Sequence, residues 1–329
     1  MDPILLIAIS VSFFCTYLVL PFWIKKAKQI GLVWEDMHKT GHPKNVAGSG
    51  GLIVVLSFIL GVLIYVAITT FYLKSSGNLI EIFALICSIL LVSIVGLIDD
   101  LFGWQRGGLS KKSRLILVLF SAIPLMVINA GESTMFGINF GILYPLFVIP
   151  IGVIGATTTF NFLAGYNGLE ASQGIILLSA FAITTYLTGN AWLSVIALCM
   201  VVSLFAFYIF NKCPAKVFPG DVMTYAIGSL IAIIAILGNM EKIAVFFFIP
   251  YICEVILKSR GKLEIQSFAK LNNDGSLEQP HKKIYGLEHL AVLILKKIKP
   301  SKKVYEKDVV LLINGFQIII ILLGFWLFL

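Results

Sequence analysis

Charge is what this chain has least of. Only 13% of its 329 residues are Asp, Glu, Lys or Arg, about half the roughly 25% of a soluble globular domain. That scarcity excludes a soluble enzyme and a disordered chain. With 59% hydrophobic residues gathered in long blocks, it also excludes a collagen-like or coiled-coil fibre. The five cysteines (Cys15, Cys87, Cys199, Cys213, Cys253) form no CxxC pair, so disulfide and zinc spacings are both missing. Lying mostly inside apolar blocks, they read as buried, inert thiols. No small-residue cleavage site follows the first apolar stretch, which reads as a retained helix rather than a signal peptide. There is no repeat of fixed period and no low-complexity tract.

What the chain has is apolar length, with a mean hydropathy of +0.97. A helix needs about 20 mostly apolar residues to cross the hydrocarbon core. Ten such blocks lie near 3–24, 46–73, 79–98, 113–130, 140–162, 174–188, 191–210, 222–239, 241–257 and 308–328. The expectation is an all-α polytopic membrane protein of about ten transmembrane helices, forming one integral membrane domain over 1–329. Of the 25 Lys and Arg residues, 23 fall in the odd-numbered connections, and only Lys74 and Lys242 in the even ones. By the positive-inside rule the odd connections are cytoplasmic and both termini face outside. The net charge of +8 thus reports orientation in a bilayer, not a nucleic-acid partner. The one sizeable soluble-looking segment is a cytoplasmic excursion over 258–307 between the last two spans. Asn272–Gly275 there suits a tight turn between two short strands. Leu287 to Ile298, half a span long and ending in lysines, suits an interfacial amphipathic helix.

Ionisable groups at membrane depth are costly and mark sites. Asp99-Asp100 closes the third span; two adjacent carboxylates call for a cation or a raised pKa, unless they form a solvated helix end. Asn161 to Gly174 follows the fifth span with three glycines, the amides Asn161, Asn167 and Gln173, and Glu170. These are ligands for a hard cation or a nucleotide, in a loop without lysine. Val217-Phe218-Pro219-Gly220-Asp221 precedes the eighth span, where Asp221 is either a site carboxylate or a helix cap. The first loop runs from Glu35 through Asp36, His38, Lys39 and His42 into Ala47-Gly48-Ser49-Gly50-Gly51. That glycine-rich helix entry could hold an anion on free N–H groups. His38 and His42 stand at i, i+4, but the intervening Gly41 and following Pro43 make them surface loop histidines rather than metal ligands. Carboxylates, amides, glycines and lysines converge on one cytoplasmic face from four loops. The set suits a Mg²⁺-dependent reaction on a phosphorylated substrate.

These residues resemble the polyprenyl-phosphate N-acetylhexosamine-1-phosphate transferases of glycosyltransferase family 4, over nearly the whole chain. The strongest matches are Gly96–Asp100, Asn161–Gln173 and Val217–Asp221. Asn167-Gly168-Leu169-Glu170-Ala171 and Asp36-Met37-His38-Lys39-Thr40 resemble the eukaryotic and archaeal branch. The resemblance implies transfer of GlcNAc-1-phosphate from UDP-GlcNAc to dolichyl or another polyprenyl phosphate, releasing UMP, the first step of lipid-linked oligosaccharide assembly for N-glycosylation. It implies catalytic roles for Asp99, Asp100, Asp221 and Asn167, with Asp221 and Asn167 as the Mg²⁺ ligands. The implied substrate-binding residues are Lys39, Gly48, Asn161, Glu170, Lys112, Arg114 and Arg260. Arg114 falls where the family's phosphate-binding lysine sits, with Lys112 as the alternative. Two positions depart from the pattern. Lys258–Glu264 replaces the eukaryotic Pro-Arg-His-Arg segment, leaving Arg260 as a substitute, and Ala47–Ser49 lacks the eukaryotic glutamate.

Both departures touch the sugar end, so another UDP-N-acetylhexosamine, or a bacterial-type undecaprenyl phosphate acceptor, stays open. A transporter is the remote alternative, disfavoured because the polar groups sit at one face without repeat symmetry. The short last cytoplasmic loop points to an archaeal plasma membrane rather than endoplasmic reticulum. A homodimer stays open.

Overall fold

The computed structural model describes residues 3–75, 77–135 and 137–329, leaving aside the side chains of Gln105 and Arg106. Helices dominate: α1 (Leu6–Gln29), α2 (Gly51–Ala67), α3 (Leu79–Arg106), α4 (Lys111–Ser121), α5 (Ile123–Val127), α6 (Ile149–Phe160) and α7 (Leu169–Leu187). They continue with α8 (Ala191–Asn211), α9 (Gly220–Leu237), α10 (Glu241–Phe247), α11 (Ile249–Ser259), α12 (Leu287–Ile298) and α13 (Glu306–Phe328). Wide π-type turns extend α2 over Ile68–Tyr72 and lead into α6 over Tyr144–Val148. Among the described residues, six helices (α1, α2, α3, α8, α9, α13) are long and apolar enough to cross a membrane. This is the make-up of a polytopic membrane protein.

The other four apolar blocks are also helical, but two are broken near a proline, which removes a backbone donor, and a third changes its winding beside two. The block at 113–130 divides into α4 and α5 just before Pro124. The block at 241–257 divides at Phe248, two residues ahead of Pro250. Tyr144–Phe160 carries both Pro145 and Pro150. The fourth block lies in α7, whose first turns hold Glu170, Ser172 and Gln173, all buried against protein.

The third span runs past its expected end. Helix α3 continues to Arg106 and stops at Gly107, whose φ of +87° suits a left-handed helix cap. Asp99 and Asp100 therefore lie inside the helix, not at its terminus, and both are buried. The solvated-end reading of the pair is thereby corrected.

Helix α9 occupies the centre, packed against α3, α6, α2 and α7, with nearly every residue from Val222 to Ile236 buried. Two glycines make this possible, as small residues do between membrane helices. A Cβ on Gly96 would lie 2.6 Å from the Asp221–Val222 backbone, and one on Gly228 would lie 2.5 Å from Ala156 O.

Three short antiparallel hairpins decorate the described bundle: β1 (Val33–Glu35) with β2 (Lys44–Ala47), β3 (Thr134–Met135) with β4 (Ile138–Asn139), and β5 (Lys270–Leu271) with β6 (Leu277–Glu278). Asn272–Gly275 makes the turn of the last, where the Gly275 N–H donates to Asn272 O at 2.9 Å. The first hairpin overturns the anion-binding reading of Ala47–Gly51. The N–H of Ala47 donates to Lys216 O, Gly48 to Leu32 O, Gly50 to Phe218 O and Gly51 to Pro219 O. Those four donors are spent on pinning the first loop against Leu32 and the Lys216–Pro219 stretch rather than left for an anion.

The surface-histidine reading fails for His38, which is 5% exposed; His42 is exposed. Tyr166 and Phe268 close over the His38 ring at centroid distances of 4.3 and 5.6 Å. The cysteines divide as well. Cys199 is buried, Cys15 and Cys253 are half-buried, and Cys87 and Cys213 are exposed. An apolar block turns one face outward, so position within it does not guarantee burial.

Candidate active site

The site begins where α3 crosses the start of α9. Gly96 brings the two backbones together, and Asp100, one turn further along the same face, meets the first turn of α9. Its Oδ1 accepts the backbone N–H of Asp221 at 2.7 Å. That N–H is among those a helix start leaves without an internal partner. Gly220, at φ +71°, makes the sharp entry. Asp100 Oδ2 is buried and has no hydrogen-bond partner of good geometry among the described residues.

Asp221 is held from α6. Asn161, the residue that ends α6, donates through Nδ2 to Asp221 Oδ1 at 3.2 Å, while its own Oδ1 accepts from Thr224 at 2.9 Å. The second oxygen of Asp221 lies 4.0 Å from Arg114 on α4. Arg114 Nε is 2.6 Å from Asp99 Oδ2, and Asp99 Oδ1 accepts the Leu109 N–H at 2.6 Å. Counted as ionised, three carboxylates and one guanidinium leave this knot two negative charges in excess.

A second knot forms around Asn167. Its Nδ2 donates to Asp36 Oδ2 at 3.0 Å, and its backbone N–H donates to Glu306 Oε1 at 2.7 Å. Lys39 Nζ lies 2.6 Å from Glu306 Oε2 and 3.9 Å from Asp36. Burial favours the neutral amine of Lys39, but the Glu306 hydrogen bond and charge, with Asp36, outweigh it and raise the pKa above 10.5. The Tyr166 phenol is pushed far up by burial and by the carboxylates of Glu288 and Glu306, so it stays protonated. Glu170 accepts the Gly165 N–H at 2.9 Å, closing the loop before α7.

Both knots border one cavity of about 290 Å³. Asp100, Asp221, Asn161, Asn167 and Glu170 line it, with Trp34, Asp36, Tyr166, Phe218 and Phe268. Asp99 and Arg114 stand behind Asp221 and are not in its wall. Lys39 is turned toward Glu306. Gly48 is structural: its carbonyl accepts Trp23 Nε1–H at 2.9 Å, and a Cβ there would lie 2.7 Å from the Trp34 ring. No side chain, a glutamate included, fits at Gly48 without moving Trp34. Lys112 and Arg260 are exposed and outside the cavity wall. Sequence reasoning did not single out Asp36 and Glu306 as site residues. Asp36 belongs to the Asp36–Thr40 motif, whereas Glu306 carried no signal beyond being an acidic residue just ahead of the last apolar run. A larger apolar groove of about 930 Å³ between α11, α12 and α13 bears none of the candidate site residues.

The donor set suits a hard divalent cation. Asp100 offers a buried oxygen without a partner, Asp221 offers a second carboxylate, and the charge excess matches. Among the described residues no group of three or more His, Cys, Asp or Glu side chains forms a metal cage. Mg²⁺ needs none, since it takes one or two protein carboxylates and fills its shell with phosphates and water.

The sequence profile described as glycosyl transferase family 4 matches residues 82–239, the stretch that holds Asp99, Asp100, Asn161, Asn167, Glu170 and Asp221. A Saccharolobus solfataricus protein is 38% identical over 289 residues, covering 84% of this chain and 85% of the relative. The chain belongs to glycosyl transferase family 4. That relative is provisionally named a UDP-N-acetylglucosamine–dolichyl-phosphate N-acetylglucosaminephosphotransferase. A Sulfolobus acidocaldarius protein of the same provisional name is 30% identical over 327 residues, or 97% of this chain and 95% of its own length. A bacterial relative from Streptococcus pyogenes, named phospho-N-acetylmuramoyl-pentapeptide-transferase, is 27% identical over 263 residues, or 76% of this chain and 77% of its own. As a glycosyl transferase family 4 member the chain is a phosphoglycosyltransferase.

Proposed function

We propose that the chain transfers GlcNAc-1-phosphate from UDP-GlcNAc to a dolichyl or related polyprenyl phosphate and releases UMP. The observation that carries this reading is the meeting of Asp100, Asp221, Asn161 and Asn167 in one cavity, from elements far apart in sequence. The provisional names of the two archaeal relatives supply the donor and acceptor.

An oxygen of the lipid phosphate attacks the phosphorus that bears the sugar. The bond from that phosphorus to the oxygen bridging it to the uridylate phosphate breaks, and UMP leaves with the electron pair. One pyrophosphate linkage is exchanged for another. The nucleophile is already an anion at neutral pH, so no general base is required. Asp221 and Asn167, with the free oxygen of Asp100, would hold Mg²⁺, which when bound neutralises charge on the pyrophosphate. Asp100 fixes the start of α9, Asn161 orients the Asp221 carboxylate, and Arg114 balances Asp99. Trp34, Tyr166 and Phe268 supply aromatic wall around the polar groups.

The active face is read as cytoplasmic and both termini as external, across about ten spans, because 23 of the 25 basic residues lie in the odd connections. The archaeal relatives favour an archaeal plasma membrane. A different UDP-N-acetylhexosamine is the second reading, favoured by the absence of the Pro-Arg-His-Arg segment from Lys258–Glu264.

The test uses purified protein with dolichyl phosphate, Mg²⁺ and a panel of radiolabelled UDP-sugars. Label from UDP-GlcNAc entering the lipid phase, with UMP released and EDTA abolishing both, is the expected result. Transfer from another donor keeps the reaction and replaces the sugar. Absence of transfer from every donor, in folded protein, overturns the proposal.

A further inference from the structure

We propose that Glu306 is a positioning residue of the transfer site, acting through Asn167. This rests on the reading that places Asn167 at the reacting end of the cavity.

Glu306 opens α13, lies outside residues 82–239 that match the family profile, and does not line the cavity. It is nevertheless 4% exposed, and its carboxylate takes donors from two distant loops. The Asn167 N–H reaches Oε1 at 2.7 Å, Lys39 Nζ reaches Oε2 at 2.6 Å, and His38 Nδ1 stands 3.4 Å from Oε1. The Ala269 N–H donates to His38 Nε2 at 3.3 Å. The proton of this imidazole therefore sits on Nδ1, facing Glu306.

A buried carboxylate is retained only where its partners satisfy it, and here each partner belongs to the cavity wall or its support. Asn167 is gripped twice: at its main chain by Glu306, at its side chain by Asp36 at 3.0 Å. Gly168 follows at φ +85°, so the chain turns sharply into α7 immediately after the grip. Without the Glu306 acceptor the buried Asn167 N–H loses its partner, and an unpaired buried donor is expensive enough to shift a loop. The last span thereby sets where the Asn167 amide points.

The experiment uses the full chain in lipid nanodiscs with Glu306→Ala, Glu306→Gln, Asn167→Ala and the Glu306→Ala/Asn167→Ala double variant. Glu306→Ala should lower kcat roughly 10- to 100-fold, the range for removing a partner that orients a ligand residue, with KM for UDP-GlcNAc within about twofold. Glu306→Gln, which keeps an oxygen for the Asn167 N–H, should recover part of the loss. The double variant should be no slower than Asn167→Ala, whereas multiplying losses overturn the proposal. Hydrogen exchange decides without turnover. Glu306→Ala should speed exchange over residues 163–169 about tenfold or more while α9 keeps its protection. Unchanged exchange there, or equal speeding in α9, overturns the proposal. A wild-type chain that transfers nothing refutes the reaction reading instead, and the exchange result still decides what holds Asn167.

Discussion

Asp100 and Asp221 are joined side chain to main chain: an oxygen of the first accepts the backbone N–H of the second at 2.7 Å. One carboxylate thus caps the helix whose first turn carries the other. The pair is a single unit, because any shift of α3 against α9 moves both groups. Gly96, one turn before Asp100, sets that crossing, and the other oxygen of Asp100 is buried without a hydrogen bond of good geometry.

Asp100→Asn separates charge from scaffold. The amide oxygen can still accept the Asp221 N–H, so melting in detergent should be unchanged. Transfer should fall by about 10² to 10³-fold, the range for removing one charge-stabilising group. Asp221→Asn should lose as much. Near-normal turnover in either variant removes that residue from the chemistry.

Gly96→Ala tests the crossing. The added Cβ would sit 2.6 Å from the Asp221 backbone, and overpacking of this kind costs about 1–3 kcal/mol. A lower melting temperature and lower activity should appear together. Gly155→Ala in α6, where a Cβ meets nothing within 4 Å, is the control and should lower neither, since alanine is the better helix former.

Arg114 and Lys112 should part company. Arg114 lies 2.6 Å from Asp99 and 4.0 Å from Asp221; Lys112 is exposed. Arg114→Met should cost at least about tenfold in kcat/KM, since it leaves Asp99 buried without its cation. Lys112→Met should stay within about twofold. The reverse ranking, measured in the same assay, would make Lys112 the phosphate-facing residue.

Acid should loosen α12 through His289. Burial, with His281 beside it, pushes this imidazole from 6.5 down to about 4. Between those values the unfolded chain binds a proton that the folded chain refuses, so stability falls as pH drops from 6.5 toward 4. His289→Phe should flatten that part of the melting-temperature profile. An unaltered slope would show that His289 takes no part in it.

The class, the helical blocks and the short list of polar groups are legible in the order of residues alone. A charge deficit and ten apolar runs leave a chain few places to go but a bilayer, and lone carboxylates within such runs stand out because each is costly there. That order did not determine where helices break or end. Proline splits two runs, and α3 outlasts its apolar stretch because Gly107 stops it, not because Asp99 begins a polar surface. It could not sort Gly48, Lys112 and Arg260 from Asp100, Asn161 and Asp221, since all are small or polar residues at the ends of apolar runs. Helix packing sorts them, by bringing glycine-thinned helix faces into contact and turning some side chains into one cavity and others away. Glu306 shows the limit most plainly: an acidic residue at a helix start is ordinary in sequence, and its tie to Asn167 exists only once α13 packs beside α7.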